Sequence, residues 1–346
     1  MVQNLGRRSV AVLLFALAFF ATVRLVGSFR ATSSLVEAKL GQIVRDAADI
    51  DVIFLGNSRA YRHVDPETFD RHTADAGHPT RSYNLGAPDM SFAELDYVVR
   101  TLETLGLENL RWVFIDLTTS WRVDPRNLGS RRVIAWHDLR SSLIALSLAA
   151  DGEAAGSEAA PAEGTDAESP AARHVSNFFV RLTGAGYGRD ATEYLLEGGA
   201  YDDPLAGHVR GFLPLTADSV GAERRHARFL SNASAYRMRI ERLKHSARVV
   251  GSPGPRQEAL LERLIGEATE AGIRVVLYMP PVASRTLWMS ERRPDSPDYL
   301  YFAFNDPNDY PEFFRVSDRF DPQHLNASAA RRFSKTLALR FAAALH

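Results

Sequence analysis

Four short, largely apolar runs, each stopped by a small or polar residue, constrain the fold of this chain more than any other feature. Asp51-Val52-Ile53-Phe54-Leu55 ends at Gly56, the run 81–85 at Gly86, the run 112–115 at Asp116, and the run 273–279 at Pro280-Pro281. Runs of this length bounded by turn residues are expected to be strands. Helical patterns separate them. Ser91-Phe92-Ala93-Glu94 has the form of a capping box, and Leu95, Val98, Val99 and Leu102 follow on one helical face. Residues 259–271 carry Leu260, Leu261, Leu264, Ile265 and Ala268 on one face, with Gly272 suited to the cap. The tail 326–345 repeats Phe333, Leu337 and Phe341 at one-turn intervals. Mostly apolar strands alternating with helices predict an α/β fold, with a central parallel sheet covered on both faces in a three-layer α/β/α arrangement.

The N-terminus carries a different signal. Residues 10–29 read VAVLLFALAFFATVRLVGSF, interrupted only by Arg24. About 20 apolar residues suffice for a helix to cross the hydrocarbon layer. Arg7 and Arg8 precede the run, so the positive-inside tendency predicts a cytoplasmic stub and anchor over 1–30, with the body 31–346 outside the cytoplasm. A cleaved signal peptide and an ordinary buried helix are the other readings of this run.

Two segments interrupt the α/β rhythm. Residues 150–172 contain nothing apolar beyond alanine and proline, so the segment cannot bury enough surface to offset its ordering entropy and is expected to be a flexible surface insertion. Residues 223–248 are strongly charged and carry Phe229, Tyr236, Ile240 and Leu243 at roughly helical spacing, which predicts a basic amphipathic helix, solvated and packed on the body, with a polyanion or membrane surface as the alternative it could face.

The chain has no cysteine, which excludes disulfides, thiol catalysis and thiolate metal sites. Its ten histidines show no ligand-type spacing, so neither a metal nor another cofactor is expected. A net charge of -1 gives no reason to expect nucleic acid as a partner.

In a parallel sheet, ligands bind beyond the carboxyl ends of the strands. Three short motifs fall there. Gly56-Asn57-Ser58-Arg59 follows the first strand and presents a serine hydroxyl at a sharp turn; a helix-capping serine is the plainer alternative. Asp321-Pro322-Gln323-His324-Leu325-Asn326 precedes the last helix. A serine becomes nucleophilic when a base such as His324 removes its proton, and a carboxylate such as Asp321 fixes that imidazole's tautomer. Tyr83-Asn84-Leu85-Gly86 ends the second strand, where a glycine lets backbone approach a reacting carbonyl and an asparagine amide can donate to an oxyanion. A tight turn is the alternative there.

Together the three motifs resemble the SGNH (GDSL-type) hydrolase superfamily. The similarity is nearest to its membrane-anchored branch, which includes the D-alanyl transfer protein of teichoic-acid modification and the alginate acetylation proteins. The segments that carry it are Phe54 to Arg59, Tyr83 to Gly86, Pro280-Pro281 and Asp321 to Asn326, over roughly 51–120 and 255–345. The resemblance implies an SGNH/flavodoxin-like fold, a triad of Ser58, His324 and Asp321, and an oxyanion site drawn from Ser58 and Gly86. Two departures stand out. Asn57 replaces the aspartate of the founding Gly-Asp-Ser pattern. Ile115-Asp116-Leu117-Thr118-Thr119 stands where a Gly-x-Asn-Asp block would supply the oxyanion asparagine, and Asn84 is taken as the substitute. Arg59 and Asp116 are candidate substrate-binding residues, a structural capping role being the other reading of Asp116.

The activity implied is ester chemistry through an acyl-serine. The chain would be an esterase if water accepts the acyl group, or an O-acyltransferase if a hydroxyl of an envelope or exported polysaccharide does. Implied partners are an acyl donor, a glycan acceptor and a multi-spanning membrane acyltransferase. The alternative is a non-catalytic glycan-binding or scaffolding subunit of a polysaccharide export or modification complex.

Overall fold

In a computed structural model, the structure describes residues 34–46, 49–154, 169–184, 203–216, 221–246, 249–250, 254–283, 286–287 and 299–345, with seven scattered positions between 10 and 22. Thirteen of the twenty residues of the apolar run 10–29 lie outside the described residues, as does 155–168 of the segment expected to be a flexible insertion. Among the described residues no helix is long and apolar enough to cross a membrane. The chain divides into two compact units, one of 1–38 and 124–206, the other of 39–123 and 207–346.

The larger unit is built on a five-stranded, all-parallel sheet of β1 (Val52–Leu55), β2 (Ser82–Asn84), β3 (Trp112–Asp116), β5 (Arg274–Met279) and β7 (Tyr299–Ala303), in the order β2-β1-β3-β5-β7. A separate pair, β4 (Val249–Val250) and β6 (Thr286–Leu287), is also parallel. Strands β1, β2 and β3 are buried along their whole length, and β5 all but its first residue, because helices cover the sheet. Alternation sends Val52, Phe54, Trp112, Phe114, Val276 and Tyr278 to one face. There they join Phe333, Leu337 and Phe341 of the C-terminal helix in one core. Phe341 meets Trp112 and Phe114 edge-on, with ring centroids 5.0 and 5.1 Å apart.

Chain growth from β1 toward β2 on one side and β3 on the other makes β1 the point where the winding reverses, and in such sheets ligands bind beyond the carboxyl end at that point. The sixth residue after Val52 is Ser58.

Within this unit the helices are α1 (Leu35–Arg45, entering from residue 39), α2 (Ser58–His63), α3 (Pro66–Asp75) and α4 (Phe92–Thr104). The smaller unit holds α5 (Arg131–Trp136), α6 (Leu139–Ala154) and α7 (Pro170–Thr183). The larger unit resumes with α8 (Ala222–Ser231), α9 (Ala233–His245), α10 (Pro255–Glu270) and α11 (Ala327–Ala343). Ser91 caps α4 by accepting the Glu94 N–H, and Asn326 caps α11 by accepting that of Ala329 at 2.9 Å.

Three expectations change. The ends of the segment 150–172 are helical, since α6 runs to Ala154 and α7 starts at Pro170 under a Ser169 cap. The charged segment is two helices, broken at Asn232, rather than one. The edge strand β7 has no counterpart in the sequence reading: Tyr-Leu-Tyr-Phe-Ala is only half-buried and lacks the continuous aliphatic run of the inner strands.

Candidate active site

Gly56 takes φ +145 at the end of β1, and a Cβ there would lie 2.5 Å from the Asp116 Cβ. Only glycine fits, so the chain turns at once and Asn57 caps α2 by accepting the Arg59 N–H at 2.9 Å. Ser58 is thereby the first residue of α2, where its own N–H has no helical carbonyl to meet.

His324 stands in the loop before α11 with its Nε2 2.9 Å from the Ser58 Oγ. Its Nδ1 lies 2.9 and 3.0 Å from the two Asp321 carboxylate oxygens. A carboxylate takes the Nδ1 proton, so Nε2 is left as the acceptor facing the serine O–H. Asp321 also accepts the backbone N–H groups of Gln323 and His324, each at 2.8 Å. Burial opposes its charge, but the hydrogen bond and charge of His324 and these N–H donors outweigh it and hold the Asp321 pKa below the usual carboxylate value. The three residues therefore form one continuous hydrogen-bonded chain, able to draw a proton off the serine as it attacks.

The structure gives three candidate residues other roles. Asn84 donates both amide hydrogens to backbone, to Ala60 O at 2.8 Å and Val64 O at 2.7 Å, and is fully buried. It has no donor left for an oxyanion. The Gly86 N–H donates to Asn84 Oδ1 at 3.0 Å, so it too is taken. Glycine is needed at 86 because a Cβ would lie 2.7 Å from the Tyr61 N. Asp116 is wholly buried, and its Oδ1 accepts from the Thr118 N–H and hydroxyl at 2.7 and 2.6 Å. Burial raises its pKa against the nearby Arg59 charge, and the bonds to its Oδ1 fix the turn after β3. Arg59, half-buried, donates to Thr118 Oγ1 at 3.1 Å and to Gln323 Oε1, which ties the strand end to the Asp321–His324 loop.

Three neighbours escaped the sequence reading. His63 is buried one helical turn and a half after Ser58, and its Nε2 accepts the Leu325 N–H at 3.0 Å. Burial drives its pKa well below the ordinary value, with the charges of His324, Arg319 and Arg59 adding to the effect. It is a neutral ring set edge-on to His324, centroids 5.9 Å apart. Lys39, also buried, donates to Asn84 O at 3.0 Å and Gly86 O at 2.6 Å. Arg225 places its Nε 3.0 Å from Asp321 Oδ2 and borders a cavity of about 350 Å³. Phe229, Tyr236 and Pro322 give that cavity apolar walls, and Arg228 and Arg239 complete a basic rim. A lone basic or histidine residue in a helix carries no sequence signal for such placements.

Among the described residues no group of acidic and histidine side chains is arranged to hold a metal ion. No protein-family model, curated protein or solved structure matches the chain.

Proposed function

We propose that the chain is an extracytoplasmic serine esterase or O-acyltransferase of the SGNH type, acting on a cell-envelope or exported polysaccharide. The observation that carries this reading is the unbroken hydrogen-bonded line from Ser58 Oγ through His324 to Asp321. The sheet order supports the finer fold, because strands taken in sequence follow the 2-1-3-4-5 order of flavodoxin-like, three-layer sheets.

In the reaction, Ser58 Oγ attacks the carbonyl carbon of an acyl ester and its proton passes to His324 Nε2. Asp321 stabilises the resulting imidazolium. The tetrahedral oxyanion is met by the Ser58 N–H at the start of α2, the donor that remains once Asn84 and Gly86 are committed elsewhere. Collapse breaks the bond to the leaving oxygen, which takes the proton from His324, and leaves an acyl-serine. A water or glycan hydroxyl then gives its proton to His324 and attacks, and the acyl–Ser58 Oγ bond breaks as that oxygen takes the proton back, releasing acid or acylated polymer. The arginine-rimmed, aromatic-walled cavity beside Asp321 supports a polar polymer as the group that docks next to the triad.

The run 10–29, with Arg7 and Arg8 before it, supports a membrane anchor that holds the body outside the cytoplasm. A multi-spanning acyltransferase is the partner such an arrangement suggests as acyl supplier.

Intact-mass measurement after treatment with a fluorophosphonate tests the nucleophile. One adduct, mapped to Ser58 and absent from Ser58→Ala, is the expected result. A folded chain that takes no adduct favours the scaffolding role instead. Protease added to intact spheroplasts tests the topology, since a protected body would place it in the cytoplasm.

A further inference from the structure

The smaller unit presents apolar surface that its own core does not use. In α6, Ser141, Ser142, Ile144, Ala145 and Leu148 are buried, and Leu146 is half-buried. The opposite side of the same helix carries Leu139, Leu143 and Leu146 at i, i+4 and i+7. In α7 the buried residues are His174 and Asn177, while Val175, Phe179 and Leu182 make a second stripe at i, i+4 and i+7. Leu139, Leu143, Val175, Phe179 and Leu182 are between 43% and 63% exposed. Single exposed leucines are ordinary, but two helices in contact that each carry a regular apolar stripe to solvent are not. Helix α6 is apolar on both sides, the pattern of a helix meant to be covered on both.

The charges point to the covering. From 139 to 150 and from 170 to 184 there is no acidic residue, whereas Arg140, Arg173 and Arg181 are present; Asp138 precedes the first stretch, and Asp151 and Glu153 lie in the last turn of α6. Leucine and phenylalanine stripes flanked by arginines, with acids only at the far end of one helix, suit helices that lie in a bilayer interface facing anionic headgroups. The same unit includes the run 10–29, long enough to span a bilayer. We infer that the stripes of α6 and α7 form a lipid-docking face that seats the smaller unit in the surface of an anionic membrane. This rests on the anchored reading only for bringing the face to the bilayer.

The chain lacks cysteine, so single-cysteine variants report one site each. Full-length Leu143→Cys and Phe179→Cys carry an environment-sensitive fluorophore in vesicles of phosphatidylglycerol and phosphatidylcholine. Met238→Cys, exposed in the larger unit, is the reference. The labels at 143 and 179 are expected to shift to the blue, to lose roughly half or more of their quenching by aqueous iodide, and to be quenched by nitroxides on the lipid chains. The label at 238 keeps its aqueous behaviour. Both effects weaken in pure phosphatidylcholine. A phospholipid with a photoreactive acyl chain gives a second measurement on the unaltered protein, with adducts expected in peptides covering 139–150 and 170–183. Labels as open to iodide as that at 238, or adducts confined to 10–29, would overturn the inference. So would shielding that follows protein-to-lipid ratio without lipid adducts, which identifies a second copy as the occupant. If the run 10–29 does not anchor the chain, the protein is recovered in water and the same labels are read after vesicles are added, so the two failures remain distinct.

Discussion

Arg225 Nε lies 3.0 Å from Asp321 Oδ2, on the carboxylate that orients His324. The guanidinium is half-exposed, so water screens it, but its charge still draws on the carboxylate that stabilises the imidazolium. Arg225→Ala is expected to loosen the carboxylate that orients His324 and to lower kcat by roughly 2–5-fold with KM little changed. Steady-state kinetics with a neutral activated ester check this; a loss confined to KM would show that Arg225 acts through substrate instead.

Ser58 and His324 act as one device, so their losses should not add. Ser58→Ala and His324→Ala are each expected to reduce hydrolysis of an activated acetyl ester at least ~10³-fold, with the double variant little worse. Asp321→Asn leaves nucleophile and base in place and should cost somewhat less. Full activity in Ser58→Ala would remove the nucleophile assignment.

Asn84 is expected to matter for stability rather than for transition-state binding. Its amide meets the carbonyls of Ala60 and Val64 in a fully buried position. Asn84→Ala leaves Val64 O and the Gly86 N–H short of this partner, while Ala60 O keeps the Val64 N–H, and should lower stability by ~2–3 kcal/mol. Denaturant unfolding measures this directly. An unchanged midpoint with a collapsed kcat would return Asn84 to the oxyanion site.

In the smaller unit His137 Nε2 and His174 Nδ1 meet at 2.9 Å, and His137 Nδ1 lies 2.6 Å from Val133 O. Both rings are buried, and burial lowers each pKa from 6.5 to about 4. The unfolded chain binds the protons more readily than the folded one between these values. Stability is therefore full above pH ~6.5 and falls as pH drops toward ~4, by on the order of 3 kcal/mol for one imidazole. Hydrogen exchange in α5 and α7 should accelerate over that window, and His174→Gln should flatten the dependence. Protection that is constant from pH 7 to 4 would count against a neutral buried pair.

The α/β class and four of the five sheet strands are legible in the sequence because each inner strand is a continuous apolar run between turn residues. Ser91 and Asn326 likewise mark helix starts, since capping is settled within one turn of chain. The motifs around Ser58 and His324 are visible for the same local reason: a glycine turn after a strand, and an acid one helical turn before a base. What the sequence could not decide was which buried groups those motifs would face. Asn84 has the residue type of an oxyanion donor, but its amide is committed to Ala60 and Val64 by the packing of α2 on the loop after β2. His63, Lys39 and Arg225 come to the site from helices whose local patterns describe only solvent and core faces. Side-chain partnership across 262 residues, as between His63 and Leu325, is set by the register in which helices dock on the sheet. Only the tertiary structure fixes that register, because the burial that selects it is shared among all the elements at once.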